Sequence, residues 1–95
     1  MTSNYFQRVQ WHHESGDDPV VLWAHVVDGW EVRKVDEFAD GRLEWAGEEQ
    51  ESGGTWLSEV PMPSTGEVGG DPQFTVEIVD ERAFERVWEQ ARGGS

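Results

Sequence analysis

Three histidines are the side chains in this sequence best suited to acid–base or metal chemistry. His12 and His13 follow Trp11 directly, and His25 lies further along the chain. Imidazole is a common metal ligand and proton carrier near neutral pH, but neighbouring side chains on a strand, such as His12 and His13, point to opposite faces. A zinc site that adds His25 and Glu14 is geometrically allowed, yet its spacing matches no established metal signature. We therefore predict no metal site, with one histidine packed beside Trp11 and the other in solvent.

The adjacent basic pair Arg33-Lys34 is the second feature that could bind a ligand. Its two side chains point to opposite faces of a strand, and either could hold a ligand carboxylate or phosphate in an aromatic groove. The favoured alternative is an ion pair across the sheet to Glu31, Asp36 or Glu44. Together with the histidines, the pair defines a candidate ligand cleft lined by Trp11, His12, His13, His25, Arg33 and Lys34.

Carboxylates dominate the charge of the chain, which has a net charge of −13. Residues 47–80 contain 8 acids and no base, whereas residues 81–95 balance 3 acids against 3 bases. A field of one sign repels nucleic-acid phosphates and attracts basic proteins, although solubility alone is an equally simple explanation. Within this stretch we predict a partner-binding segment, with steering charges and an apolar anchor. Its residues are Glu48, Glu49, Glu51 and Trp56.

Length and composition limit the classes of protein to which the chain can belong. Its 95 residues form one domain, predicted over residues 1–92, with residues 93–95 as a flexible tail. The sequence has no cysteine, which excludes disulfides, thiolate metal sites and thiol nucleophiles and leads us to expect a cytoplasmic location. We find no apolar run of membrane-helix length and no phosphate loop, dinucleotide fingerprint or nucleophile elbow. Nothing in the sequence therefore indicates a cofactor, and nothing argues for an enzyme.

Two Asp-Gly pairs organise the strands that must position these side chains. Asp28-Gly29 and Asp40-Gly41 each separate runs rich in Val, Trp and Phe. Aspartate and glycine tolerate positive φ, which a type I′ hairpin turn requires at both central positions. A break in hydrophobic phase near Arg33-Lys34 predicts a bulge or a strong twist there. We therefore predict an antiparallel meander, with strands over residues 5–12, 20–27, 30–38 and 43–45.

The last part of the chain has the clearest helical pattern. Asp80 is a suitable N-cap for a helix over about residues 81–92. Apolar residues at helical spacing form one face of this helix: Phe84, Val87, Trp88 and Ala91. The alternating segment from Phe74 to Ile78 is expected to be extended. The sequence thus predicts an α+β fold, in which one C-terminal helix covers a twisted antiparallel sheet of four or five strands.

Six tryptophans in 95 residues are a high density for a small domain. Most are expected to lie in the core, because large aromatic side chains stabilise small domains well. Six is more than a small core readily encloses, so one or two should be exposed at a binding surface. Trp11 and Trp56 are the best candidates for exposure.

Motifs along nearly the whole chain resemble those of a known family. They consist of Tyr5, Val9, Trp11 and His13, then Asp18-Pro19-Val20, residues 31–35, Asp40-Gly41, Thr55 and Leu57, and finally Phe84, Glu85, Val87 and Trp88. The family comprises small uncharacterised bacterial proteins, mostly actinobacterial. The resemblance implies a single bacterial domain and offers no catalytic residues. An acidic residue often follows the aromatic of the second strand in that family, where this chain has Ala24-His25.

Three functions fit these observations. The favoured one is a non-enzymatic interaction module that binds a basic protein, either as an immunity or antitoxin-like protein or as a regulator. The second is a small-molecule binding protein, or a small enzyme, that uses the candidate cleft between sheet and helix. The third is a DNA mimic whose carboxylates follow the spacing of phosphates. The sequence identifies neither the partner nor the oligomeric state.

Overall fold

Five strands and one helix make up the part of the chain that the computed structural model describes, which is residues 4–14, 18–47 and 70–93. The strands form one antiparallel sheet, and the helix follows the last strand directly. The elements are β1 (Asn4–Trp11), β2 (Val21–Val27), β3 (Trp30–Glu37), β4 (Leu43–Gly47), β5 (Phe74–Val79) and α1 (Glu81–Ala91). The predicted α+β fold is confirmed. In the described ranges, no helix is long and apolar enough to cross a membrane.

The two Asp-Gly turns differ in type. Asp28 has φ of 52° and Gly29 has φ of 85°, which is the pair of positive angles that a type I′ turn requires. In the second hairpin only Gly41 has positive φ, and its N–H donates to the carbonyl of Phe38 at 2.9 Å. This geometry is a type I turn followed by a left-handed glycine. The prediction of a second type I′ turn was therefore wrong, because the loop is one residue longer than a two-residue hairpin.

A bulge interrupts the pairing of β2 with β3. His25 lies opposite Arg33, but Val26 lies opposite Glu31, so Val32 is an extra residue on β3. The bulge lies one residue before the predicted position. The extra residue changes the alternation of side chains between the two faces of β3. As a result, Arg33 lies on the same face of the sheet as His25.

The order of strands in the sheet is β4-β3-β2-β1-β5. The first four strands form the predicted meander, and β5 pairs antiparallel with β1 at the far side. Phe6 of β1 is the partner of Val79 on one side and of His25 on the other. The first strand is therefore internal, and both of its faces carry buried side chains, such as Phe6 and Val9.

The helix α1 covers one face of the sheet. Asp80 is its N-cap, and the Asp80 carboxylate accepts a hydrogen bond from the Ala83 N–H at 2.8 Å. The buried side chains of the helix are Phe84, Val87 and Trp88, as the spacing predicted. They pack with Phe6 and Val35 in a core that is bordered by Trp23, Leu43, Trp45, Val79 and Ala91.

Candidate functional site

Arg33 is the centre of a polar network between the sheet and the helix. Its Nη1 and Nη2 atoms donate to the two carboxylate oxygens of Glu85 at 2.9 and 2.7 Å. The guanidinium also lies over the rings of Phe84 and Trp88, at 4.9 and 5.3 Å from their centroids. A bidentate ion pair constrains the relative orientation of its two side chains in addition to attracting them. This contact therefore constrains the position of α1 on β3.

His25 extends this network across the sheet. Its Nδ1 accepts a hydrogen bond from Nε of Arg33 at 3.1 Å, and its Nε2 lies 2.8 Å from Oδ1 of Asn4. Because Arg33 can only donate, His25 must be the neutral tautomer with its proton on Nε2, donating to Asn4. The imidazole also stacks on Phe6, with ring centroids 4.3 Å apart.

The environment shifts both titratable groups of this network. Burial, followed by the positive charge of Arg33, lowers the pKa of His25 from its ordinary value of 6.5. The hydrogen bond from Arg33 lowers the pKa of the Glu85 carboxyl from its ordinary value of 4.5. The network is therefore stable with a neutral imidazole, a charged guanidinium and a charged carboxylate.

These pKa shifts predict that the fold loses stability on acidification in two stages. Below about pH 6.5 the unfolded chain binds a proton at His25 that the folded protein does not bind until its lower pKa is reached, so stability falls with pH. Below about pH 4.5 the stabilising charge of Glu85 is lost as the pH passes through its lowered pKa. Urea unfolding followed by tryptophan fluorescence between about pH 2 and about pH 8 measures both stages.

The variant His25→Gln separates the first stage from the second. A carboxamide can still accept from Arg33, but it does not titrate, so the loss of stability just below pH 6.5 should become smaller. The matched control is His12→Gln, which removes an exposed imidazole and leaves the contribution of His25 in place. An unchanged pH dependence in His25→Gln would contradict the assignment.

The six residues of the candidate ligand cleft occupy three separate places. His25 and Arg33 are in direct contact on the helix face of the sheet. Lys34 lies on the other face, 3.5 Å from the buried carboxylate of Asp36. Trp11, His12 and His13 lie at the opposite end of β1, about 20 Å from the His25 row at the usual rise of a strand.

At that far end, Trp11 is the centre of a small aromatic cluster. It lies edge-on to His13 at 4.4 Å and tilted against Phe74 at 6.0 Å, measured between ring centroids. Nε2 of His13 donates to the carbonyl of Pro19 at 2.7 Å. His12 is exposed and lies 2.7 Å from the hydroxyl of Thr75. One histidine thus packs beside Trp11 and the other is in solvent, as the sequence led us to expect.

Each basic residue of the Arg33-Lys34 pair has a carboxylate partner in the described part of the chain. Arg33 has Glu85 as its carboxylate partner, a residue that was not among the expected partners Glu31, Asp36 and Glu44. Lys34 has one of those expected partners, Asp36. Among residues 4–14, 18–47 and 70–93, no three His, Asp or Glu side chains come together in a way that could hold a metal ion.

Trp30 is an exposed aromatic that the sequence did not single out. Most tryptophans were expected in the core, but 47% of the surface of Trp30 is exposed beside the Asp28-Gly29 turn. Val27 pairs with Trp30 of β3 and with Asn4 of β1. These three residues lie at the end of the sheet where α1 begins. We call this edge, with Asp28, Trp30, Asp80 and Glu81, the Trp30 end of the sheet.

The predicted partner-binding residues Glu48, Glu49, Glu51 and Trp56 lie outside the described residues.

Comparison with known proteins identifies the family of the chain. Residues 4–93 match the model of a domain of unknown function, DUF6881. The chain belongs to this family. The description of the family assigns no activity, so the match confirms the predicted relationship to uncharacterised proteins and supplies no catalytic residues. Curated proteins and solved structures gave no significant match.

Proposed function

We propose that this DUF6881 protein is a non-enzymatic interaction module that binds a basic protein partner. The observation that carries the proposal is a net charge of −13 on a 95-residue chain. A field of this sign attracts a basic surface over several ångströms and steers its approach. The partner would be a protein that the module neutralises, as an immunity or antitoxin-like protein does, or one that it regulates.

Most of the basic side chains are held in contacts within the fold. Five of the seven bases of the chain lie against an aromatic ring or pair with a carboxylate. These are Arg8, Arg33, Lys34, Arg42 and Arg92. Positive charge is thus held at specific contacts within the fold, and the exposed surface at Asp28, Asp80 and Glu81 is acidic.

The Trp30 end combines the two features that a docking surface for a basic protein needs. The exposed indole supplies apolar area, and aromatic anchors carry much of the binding energy at interfaces. Asp28 lies in the turn beside it, and Asp80 and Glu81 lie at the same end of the sheet after β5. Gly47, the residue before the acidic segment that contains Glu48, lies opposite Arg33 near this same end. We propose that the partner contacts the Trp30 end together with the segment over residues 47–59.

The alternative of a small-molecule site receives less support. A ligand carboxylate would have to displace Glu85 from Arg33, and His25 already has a partner on each ring nitrogen. A DNA mimic is a special case of the main proposal, in which the basic partner is a nucleic-acid-binding protein. The proposal also includes a bacterial host, as in actinobacteria, and a cytoplasmic location, in keeping with a chain that has no cysteine.

Binding of the basic partner should weaken as salt rises, because screening acts on the association rate. The test is capture from lysate of the native host at low salt, identification by mass spectrometry, and surface plasmon resonance with the purified partner. Neutralising Glu48, Glu49 and Glu51 to glutamine should slow association several-fold. Trp30→Ala and Trp56→Ala should mainly speed dissociation, by about tenfold or more for a central anchor. An acidic partner, or binding that none of these changes affects, would refute the proposal.

A matched control separates a local site from total charge. The triple variant Glu14→Gln, Asp18→Asn and Glu89→Gln also removes three exposed carboxylates, at positions outside the segment 47–59 of the sequence. It should slow association less than neutralising Glu48, Glu49 and Glu51. Competition by double-stranded DNA for the same partner distinguishes a DNA mimic from an inhibitor that binds elsewhere on its target.

A further inference from the structure

The outer edge of β5 offers backbone groups for pairing. β5 pairs with β1 on one side, and the N–H of His12 donates to the carbonyl of Gln73 at 2.7 Å. Backbone groups of an antiparallel strand alternate in direction, so Thr75 and Glu77 also point toward β1. The N–H and C=O groups of Val76 and Ile78 therefore point outward, and among the described elements no strand pairs with them.

This edge has few of the features that usually prevent pairing between proteins, and Glu77 is its one charged side chain. β5 contains no proline, lysine or arginine, and its register with β1 shows no bulge. Its side chains on the face away from α1 are all apolar: Phe74, Val76 and Ile78. Ile78 has 56% of its surface exposed, the largest exposure among the big hydrophobic side chains of the described ranges.

We propose that β5 pairs antiparallel with β5 of a second copy of the chain, about a twofold axis at Val76. In this register Val76 lies opposite its own copy, and Phe74 lies opposite Ile78 of the second copy. Thr75 then lies opposite Glu77, so no two carboxylates are directly opposed. A register centred on Glu77 would place two carboxylates opposite each other, which destabilises a strand pair.

The pairing also covers the exposed apolar side chain. Ile78 would pack on Phe74 of the second copy, a ring that Trp11 already holds in place. The outward N–H and C=O of Val76 and the outward N–H of Ile78 would gain partners, whereas the N–H of Phe74 keeps its bond to the carbonyl of Asp71. The two sheets would become one. An edge-to-edge contact of this length is at the small end of protein interfaces, below roughly 1,200 Å², so we infer a reversible, weak dimer.

The dimer is inferred independently of the proposed function. Salt dependence distinguishes formation of the dimer from binding to a basic partner. Each copy carries a charge of −13, so screening should strengthen the dimer, whereas it should weaken binding to a basic protein. Removing the charge of Glu77 should also strengthen the dimer, because the two Glu77 side chains are diagonal neighbours across the axis.

Sedimentation velocity of the full chain, over protein concentrations from about 1 µM to about 1 mM and at roughly 0.05 and 0.5 M salt, tests the proposal. We expect a concentration-dependent dimer whose dissociation constant falls several-fold at the higher salt and in Glu77→Gln. Ile78→Lys should weaken it more than tenfold, without loss of stability, since this side chain is exposed. The matched control Trp30→Lys replaces another exposed hydrophobic residue, three strands away, and should leave the dimer intact.

Hydrogen exchange gives an independent readout of the same contact. The amides of Val76 and Ile78 should be protected at high protein concentration and should exchange faster on dilution. A single-chain mass at the highest concentration, a dimer that Ile78→Lys leaves unchanged, or a dimer that dissociates as salt rises would overturn the proposal.

Discussion

Replacing Trp88 by alanine is expected to lower the free energy of unfolding by about 3–5 kcal/mol. Trp88 is 9% exposed and lies in the core between α1 and the sheet. Its ring meets Trp45 edge-on at 5.5 Å, stacks near Phe84 at 6.1 Å, and lies beneath the guanidinium of Arg33 at 5.3 Å. Truncation would leave a cavity that side chains from three different elements would have to fill.

Urea unfolding followed by circular dichroism measures this loss. The matched control is Trp30→Ala, because Trp30 is 47% exposed and its removal should cost less than about 1 kcal/mol. A loss below about 1 kcal/mol for Trp88→Ala would mean that α1 does not depend on this contact. If the variant does not fold, Trp88→Phe provides a smaller cavity and should give an intermediate loss.

Replacing Arg33 by methionine should have the second largest effect, a loss of about 2–3 kcal/mol. The change leaves the carboxylate of Glu85 without its bidentate partner and removes the donor to Nδ1 of His25. The aliphatic part of the side chain is preserved, so the loss reports on the guanidinium. Solvent access to Glu85 limits the cost, since its side chain is 40% exposed.

Lysine at position 33 should recover little of this stability, because an ammonium cannot make the bidentate contact or serve both Glu85 and His25. Arg82→Met is the matched control: Arg82 is exposed on α1, and its loss should change stability by no more than about 0.5 kcal/mol. A double-mutant cycle between Arg33 and Glu85 isolates the pairwise term. Additive effects in that cycle would show that the ion pair does not hold α1 on the sheet.

Local patterns in the sequence were sufficient to predict most of the fold. The Asp28-Gly29 turn follows from the φ preferences of two residues, and the buried face of α1 follows from the spacing of Phe84, Val87 and Trp88. Each of these features depends on residues that are close in the chain. The second turn was assigned the wrong type because Asp-Gly fits both a two-residue loop and a longer loop that ends in a left-handed glycine.

The candidate site was less predictable because its contacts join distant parts of the chain. Glu85 is 52 positions from Arg33, and no local pattern marks it as the partner. The separation of His12 from His25 depends on the antiparallel register of β1 and β2, in which Phe6 faces His25. The exposure of Trp30 is a consequence of its position beside a tight turn, and the hydrophobicity of the residue alone does not predict this exposure.

The position of β5 beside β1 has a consequence for the order of events during synthesis. The pairs within the β1–β4 meander are local, and their residues are synthesised before those of β5 and α1. β1 gains its second neighbour, and the core gains Phe84 and Trp88, only when the last quarter of the chain has been made. Until then, Phe6 and Val35 lack their helical cover, and the nascent meander presents apolar surface to solvent and chaperones. The addition of β5 and α1 is thus the step that covers this apolar surface.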